Sequence, residues 1–538
     1  MTETFQPLDL PENLNIAARF LDHRLEAGDG DRVALHLPER SVTYGEVHAA
    51  AELHGRALKT LGVRREERVL IAVPDGLEFV ATFFGVLKLG AVAVMLNPRL
   101  KAEEIAGQLQ YTGATTLVVH RDHEEIFRAQ AEAGPELENG LLVVGDGDGD
   151  TQPDHVDAVL ESGGREPVGT AVTHRDDPAV WLYSGGTTGR PKAVVQSHRS
   201  FAVTTELYAL RTLGYGPDDV TLSVPKLFFG YATGANLLFP FAVGGAAILF
   251  PEHPTPELLF DKIRRFRPTI LVNVPTLVQR MVEHEAAGAQ DLSSLRFATS
   301  AGEALPPALY ERWKETFGGV ELLDGLGTAE MWHVFVTNRP GDVKPGTLGR
   351  VVDGFEVEAR GDDDRPVPAG ELGRMWVKGE ARALCYWRNM EKSHDAFRGP
   401  WFVGGDMIRI DGEGYVTYCG RGDDAMKVGG RWLVPREVED VIGEHPGVVE
   451  NAVVGAADGQ GLMKPYAFVL AAEGQDPESL AEDVKAWTLE KLATYKHPRH
   501  VTVLERFPRT HLGKVDRGAL KRLVAERLAA ESLAAELE

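Results

Sequence analysis

The sequence predicts an α/β fold, with a large N-terminal domain of mostly parallel βα layers, a β-rich subdomain, and a small α+β C-terminal domain. Three observations predict it. Short apolar runs of strand length alternate with helical stretches through the first part of the chain, the pattern of a largely parallel sheet. From about Gly349 the texture shifts to short strands with turns at Gly354, Gly361 and Gly370, which suggests an antiparallel or barrel-like subdomain spanning about 349–419. The stretch 420–430 then carries four glycines among charged residues and reads as a flexible joint. The expected division is therefore 1–421 and 422–538, since 538 residues exceed one ordinary core.

Taken in order, Asn13 to Gly62 reads as helix, strand (33–37) and a long helix opening at Thr43, where Thr43-Tyr44-Gly45-Glu46 has the capping-box pattern. Residues 68–73 form a buried-strand run, followed by an apolar helix from Leu77 to Leu89 and strands at 91–95, 115–119 and 140–144. Gly145 to Gly164 is rich in Gly, Asp and Ser and is expected to be an exposed loop. Further βα alternation runs through 221–225, 246–250 and 270–274, with an aromatic-rich segment at 227–231. Beyond the joint, helices are expected at 435–445 and 477–492, and strands at 448–454 and 466–470.

The bulk composition narrows the function classes. Lys and Arg number 57 against 80 Asp and Glu, a net charge of −23, which argues against a general nucleic-acid or anionic-membrane binder. Two cysteines, Cys385 and Cys419, without metal-type spacing fit a reduced cytoplasmic protein. The N-terminus has no basic region followed by an apolar stretch. The most apolar stretch, Leu237 to Phe250, is interrupted by Pro240 and two glycines and is too short to span a bilayer.

One loop concentrates chemistry. Tyr183-Ser184-Gly185-Gly186-Thr187-Thr188-Gly189-Arg190-Pro191-Lys192 lies between apolar runs 179–182 and 193–195, which reads as strand, loop, strand, with Ser197 placed to cap the next helix. Glycines let backbone N–H groups approach a ligand, while the hydroxyls and two cations add the donors that a polyphosphate needs. A polar hairpin turn is the plainer alternative, but a turn does not call for Arg190 and Lys192 beside three glycines. The loop lacks the Gly-Lys-Ser/Thr ending of a Walker A motif.

Four further stretches carry polar residues. Ser300-Ala301-Gly302-Glu303 and Asp324-Gly325-Leu326-Gly327-Thr328-Ala329-Glu330 each follow a strand, where loops of open α/β sheets face the ligand crevice. Glu330 reads either as a Mg²⁺ ligand beside phosphates or as a solvated helix residue. Gly404-Gly405-Asp406 offers a carboxylate for a ribose diol, and Pro508 to Lys514 ends in a lysine that by itself reads as surface charge.

In this order, with Gly420-Arg421-Gly422-Asp423-Asp424, the motifs resemble the adenylate-forming superfamily of acyl-CoA synthetases, adenylation domains and luciferases, over nearly the whole chain. Residues 226–231, 252–256, 273–277 and the form Asp324-Gly325-Leu326-Gly327 resemble its benzoate-CoA ligase branch. The resemblance implies activation of an aryl carboxylic acid by ATP to an acyl-adenylate, then transfer to CoA with release of AMP, pyrophosphate already having left. It assigns Ser184, Gly185, Thr187, Thr188, Gly189 and Lys192 to the ATP phosphates, and Glu330 to Mg²⁺. Gly302, Glu303, Asp324, Gly325, Gly327 and Thr328 would surround the nucleotide, with Asp406 and Arg421 on the ribose. Lys514 would reach the substrate carboxylate and the α-phosphate, with Lys192, Thr187 and Glu330 completing the catalytic set. The family's mobile C-terminal domain turns on a hinge, here Asp423, bringing Lys427, Gly429 and Gly430 to the thiol side.

The acid pocket implied is Phe229, Tyr231, Gly302, Gly327 and His333, aromatic walls with small residues that suit a flat ring. His333 either touches the acid or packs beside Trp332. The chain departs from the branch at Gly230-Tyr231-Ala232-Thr233-Gly234, at Ala193 after the loop lysine, and at His511-Leu512 before Gly513-Lys514. The first departure alters a pocket wall and admits a hydroxy-, amino- or otherwise substituted benzoate. The alternative function is an aryl-acid adenylation enzyme that loads a carrier-protein thiol in trans, since no carrier motif follows Lys514.

Overall fold

The computed structural model describes residues 8–145, 153–184, 192–422, 424–428, 431–457, 462–509 and 515–537. The α/β expectation is borne out. The chain divides into two compact units, Met1–Val357 with Val377–Val403, and Glu358–Trp376 with Gly404–Glu538. Among the described residues no helix is long and apolar enough to cross a membrane.

The first unit holds two large sheets. One runs in the order Cys385–Tyr386, Lys192–Ser197, Pro178–Ser184, Val92–Met95, Arg68–Ala72, Thr116–His120, Gly140–Val144, and the five strands from Pro178–Ser184 to the Gly140–Val144 edge are mutually parallel. These strands read as continuous apolar runs because helices cover both faces of a parallel sheet. The second sheet orders Arg350–Val351, Val334–Thr337, Glu321–Gly327, Phe297–Ser300, Ile270–Asn273, Val220–Ser223, Ala246–Ile248, Val33–His36 and Ser41–Thr43. Leu222, Ile248, Leu271, Ala298 and Leu322 pack from it against Trp313, whose indole N–H donates to the Val320 carbonyl at 2.9 Å. The long helix Tyr44–Leu61 starts where its capping box places it. The Glu46 N–H donates to Thr43 Oγ1 at 3.2 Å, the Thr43 N–H donates back to the Glu46 carboxylate at 2.7 Å, and Gly62 closes the helix at φ 101°.

Three expectations are corrected. Within the stretch expected to be a loop, Val156–Ser162 is helical, because Val159 is buried and anchors one apolar side. The Asp324–Gly327 segment is strand rather than strand-end loop. Glu321–Gly327 runs on past its parallel neighbour and pairs antiparallel with Val334–Thr337, which satisfies its backbone groups. The stretch read as an antiparallel subdomain also sends a short strand, Cys385–Tyr386, to the edge of the first sheet, where it pairs with Lys192–Ser197. Ser197 stands at the N-cap of His198–Thr204 as expected, but its hydroxyl lies 3.3 Å from Ser200 Oγ and makes no cap bond to the backbone.

In the second unit, Asp406 to Ile410 pairs antiparallel with Val416–Arg421. A three-stranded sheet follows, Val448–Ala457 antiparallel to Met463–Ala471, with His500–Leu504 parallel to the latter. The helices Pro435–Gly443 and Pro477–Lys491 bury Val438, Ile442, Leu480 and Val484 on one face of this sheet. Leu520 and Val524 of Arg517–Leu537 pack with Phe468 and Phe507.

Candidate active site

The site residues of the first unit gather at the carboxyl ends of strands from both sheets, where open α/β folds bind ligands. Ser184 ends one strand and Lys192 begins its antiparallel partner, the two being direct register partners. Gly185, Thr187, Thr188 and Gly189 lie outside the described residues. Lys192 Nζ stands 5.1 Å from the ring centroid of Tyr386. The Tyr386 hydroxyl in turn donates to Glu330 Oε1 at 2.7 Å. Thus the loop lysine and the acidic residue, far apart in sequence, meet on the two sides of one tyrosine.

Glu330 is only 7% exposed, on a short helical turn, Ala329–Met331, that Thr328 caps by accepting the Met331 N–H at 3.2 Å. The solvated-helix alternative therefore does not describe it. Among the described residues its side chain has a neutral hydroxyl as partner and no ion pair with a cation. A buried carboxylate in that setting is costly unless a cation completes it, and one carboxylate plus phosphate oxygens is a common Mg²⁺ environment. Among the described residues no cluster of three or more His, Cys, Asp or Glu forms a metal cage. The donor set fits a metal shared with a polyphosphate rather than an all-protein site.

Glu303 is partnered within the fold: its Oε2 accepts the Thr276 N–H at 3.0 Å and the Thr276 hydroxyl at 2.6 Å, at the start of the helix Pro275–Glu283. Gly302 sits at φ 84° with nothing within 4 Å of where a side chain would begin, so a ligand can approach its backbone closely. Asp324 is buried at 7% exposure opposite Ser300, and its carbonyl accepts from Asn338. Gly325 and Gly327 lie under the neighbouring strand. A Cβ on Gly327 would come within 2.6 Å of the His333 carbonyl oxygen.

Of the residues expected in the acid pocket, Tyr231 and Gly327 meet His333, whereas among the described residues no contact ties Phe229 or Gly302 to it. Its Nε2–H donates to the Tyr231 carbonyl at 3.0 Å, and its ring lies 5.2 Å from Tyr231, 5.4 Å from Tyr208 and 4.8 Å from Phe239. Burial pulls its pKa down to about 3, so the imidazole is neutral at physiological pH. The Tyr231 hydroxyl pairs with Thr299 Oγ1 at 2.7 Å. Phe229 is 45% exposed and stacks at a tilt on Phe228, 4.4 Å between centroids. Just before His333 the backbone is strained. Trp332 has φ 62° and ψ −49°, and the His333 N–H donates to the Met331 carbonyl at 2.9 Å, the geometry of a γ-turn. Such conformations cost about 1–3 kcal/mol for a non-glycine residue and persist where the surroundings over-determine them. Here the Trp332 ring packs 4.2 Å from Phe201, and the turn sends Trp332 and His333 into the core side by side.

In the second unit Asp406 and Arg421 are register partners joined by an ion pair of 3.0 Å, with Asp406 buried and Arg421 half exposed. Lys427 Nζ lies 3.4 Å from Asp362 on the surface. Asp423, Gly429, Gly430 and Lys514 lie outside the described residues.

Two sequence-family models span this architecture: the AMP-binding enzyme model matches residues 21–387, and the AMP-binding enzyme C-terminal domain model matches 437–514. The chain belongs to the AMP-binding enzyme family. Among the relatives of this family member, a benzoate–CoA ligase of Thauera aromatica is 38% identical over 96% of this chain and 97% of its own length. A 4-hydroxybenzoate–CoA/benzoate–CoA ligase of Rhodopseudomonas palustris is 36% identical over 95% of this chain and 94% of its own. The crystal structure of the anthranilate CoA ligase AuaEII, in complex with anthranoyl-AMP, superposes with a TM-score of 0.87 at 37% identity, covering 97% of this chain and 99% of that one. The resemblance to the benzoate-CoA ligase branch is borne out.

The sequence left three residues of the site unnoticed: Tyr386, Thr299 and Tyr208. Tyr386 sits in an apolar run, and nothing local announces that its strand pairs with Lys192–Ser197. Thr299 and Tyr208 are ordinary strand and helix residues until the tertiary fold brings them to Tyr231 and His333.

Proposed function

We propose that the chain is an AMP-forming aryl-CoA synthetase: it activates a benzoate-type acid with ATP to an acyl-adenylate and transfers the acyl group to CoA. The observation that carries this reading is the cluster of Tyr231, Tyr208 and Phe239 around a buried, neutral His333, just past the turn that carries Glu330. Neutral aromatic walls favour a flat ring over an aliphatic or charged tail.

In this reading the carboxylate of the acid attacks the α-phosphorus of ATP and pyrophosphate leaves. Ser184, Thr187, Thr188 and Lys192 bind the β- and γ-phosphates, and Gly185 and Gly189 belong to the same ATP-binding set. Glu330 would hold Mg²⁺, which would supply neutralisation of the phosphate charge. Gly302, Asp324, Gly325, Gly327 and Thr328 bound the nucleotide and the acid, while Asp406 and Arg421 take the ribose hydroxyls. Glu303, through its bonds to Thr276, acts by shaping the Gly302 turn. Lys514 bridges the acid's carboxylate and the α-phosphate, so its charge follows the developing negative charge.

One lysine cannot stay there while a thiol enters. The C-terminal domain, 422–538, accordingly turns about Asp423 between half-reactions, and Lys427, Gly429 and Gly430 face the pantetheine thiol in the second pose. CoA is the acceptor, and the reaction is placed in the cytoplasm, where Cys385 and Cys419, both free, stay reduced.

A hydroxylamine-trapping screen with ATP over benzoate, hydroxy- and aminobenzoates and short aliphatic acids tests the reading. Trapping confined to aryl acids supports it, and trapping of aliphatic acids alone overturns it. Repeating the best acid with CoA then distinguishes CoA from a carrier-protein thiol.

A further inference from the structure

Tyr386 is tied to two residues of the proposed ATP site, Lys192 and Glu330. Its strand is locked to that of Lys192, with Tyr386 opposite Val194. The Ala383 N–H donates to the Glu330 carbonyl at 2.7 Å, and the Gln196 amide donates to the Ala329 carbonyl at 2.6 Å. The backbone of the Glu330 turn is therefore stitched to the same two strands. Tyr386 is 5% exposed and packs on Val194, Ala383 and the Phe397 ring, 5.2 Å away. Phenylalanine would fill that space equally well. The hydroxyl donates to the carboxylate oxygen at 2.7 Å, and the ring face takes Lys192 Nζ at 5.1 Å. A hydroxyl at that oxygen brings no positive charge to the site, whereas an Arg or Lys in that place would compete with a metal.

We infer that Tyr386 is a positioning residue for the metal–polyphosphate site: its hydroxyl orients the Glu330 carboxylate that would hold the cation, and its ring face steadies the Lys192 ammonium. The inference rests on the ligase reading. It separates two effects in one side chain, because the hydroxyl acts on the metal and the ring acts on the phosphates.

The test uses the full chain, with Mn²⁺ as the divalent probe and no acid or CoA present. Free Mn²⁺ is followed by electron paramagnetic resonance at fixed protein and ATP, and ATP binding in EDTA is followed by calorimetry. Tyr386→Phe should raise the Mn²⁺ concentration at half-saturation of the protein–ATP complex about tenfold, the scale of a hydrogen bond to a charged group. It should leave metal-free ATP affinity within twofold. Tyr386→Leu should lose both, with ATP affinity in EDTA falling about three- to tenfold. A Tyr386→Phe titration that superimposes on the wild type overturns the inference, as does equal loss of metal-free ATP affinity in both variants. Circular dichroism confirms folding, and if the leucine variant does not fold, the phenylalanine variant decides alone. Wild-type protein that binds neither ATP nor Mn²⁺–ATP overturns the ligase reading itself, a result distinct from wild-type binding left unchanged by Tyr386→Phe.

Discussion

Gly234→Ala is a small change with a calculable effect on the acid pocket. A Cβ there would lie 2.5 Å from His333 Cδ2, 2.8 Å from His333 Nε2 and 3.0 Å from Phe239 Cζ. Ordinary contact needs about 3.4 Å or more, so the imidazole must retreat by roughly 1 Å. It cannot do so freely, being 3% exposed and flanked by Tyr231, Tyr208, Phe239 and Trp332. The retreat also breaks or lengthens the 3.0 Å bond to the Tyr231 carbonyl. Overpacking of this kind costs about 1–3 kcal/mol and the bond about 1 kcal/mol, together about 2–4 kcal/mol. If half of that falls on the acid-binding state, kcat/KM for the aryl acid drops about 5- to 30-fold while KM for ATP holds within twofold. Steady-state kinetics with each substrate varied, beside urea unfolding, measures both parts. The double variant Gly234→Ala/His333→Ala should be less damaged than the sum of its singles, because removing the imidazole removes the clash. Unchanged acid kinetics and unchanged stability in Gly234→Ala would refute the assignment of His333 to the pocket wall.

Other consequences follow from the same structure. Lys514→Ala should slow pyrophosphate–ATP exchange about 10²–10³-fold yet still permit thioester formation from synthetic acyl-adenylate and CoA, and equal loss of both half-reactions contradicts the domain turn. Lys88 is buried between Asp22 at 2.6 Å and Glu52 at 2.9 Å, so Lys88→Met should cost about 3–5 kcal/mol in urea unfolding by leaving two acids without their cation. Burial lowers the pKa of His54 and His198 to about 4 and of His333 to about 3, below the ordinary 6.5. Each stays neutral when folded but protonates when unfolded, so stability is full above pH 6.5 and falls as pH drops toward 4, by about 2–3 kcal/mol per histidine at pH 4.5. Replacing His54 with Gln should reduce the pH slope of unfolding by about one proton across that window, and an unchanged slope would contradict it.

The sequence was most legible where local physics decides the structure. The capping box at Thr43–Glu46, the apolar runs at 68–73 and 115–119 and the helix from Leu77 are set by hydrogen bonds and periodicities within a few residues. Ser184, Lys192 and Glu330 were visible because glycine-rich and acidic residues stand out from their surroundings. What stayed hidden depends on long-range pairing. The strand character of Asp324–Gly327 comes from Val334–Thr337 rather than from its own glycines, which by propensity favour a loop. Tyr386 reaches Glu330 only because a two-residue strand pairs with Lys192–Ser197. The γ-turn at Trp332 has no sequence signature, since a tryptophan at positive φ is held there by packing alone.

Product analysis with ATP, Mg²⁺, CoA and the best aryl acid tests the central claim most directly. The account predicts AMP, pyrophosphate and aryl-CoA in equal amounts, with no AMP formed when the acid is omitted. Formation of ADP and phosphate in place of AMP, or AMP release independent of the acid, would contradict it.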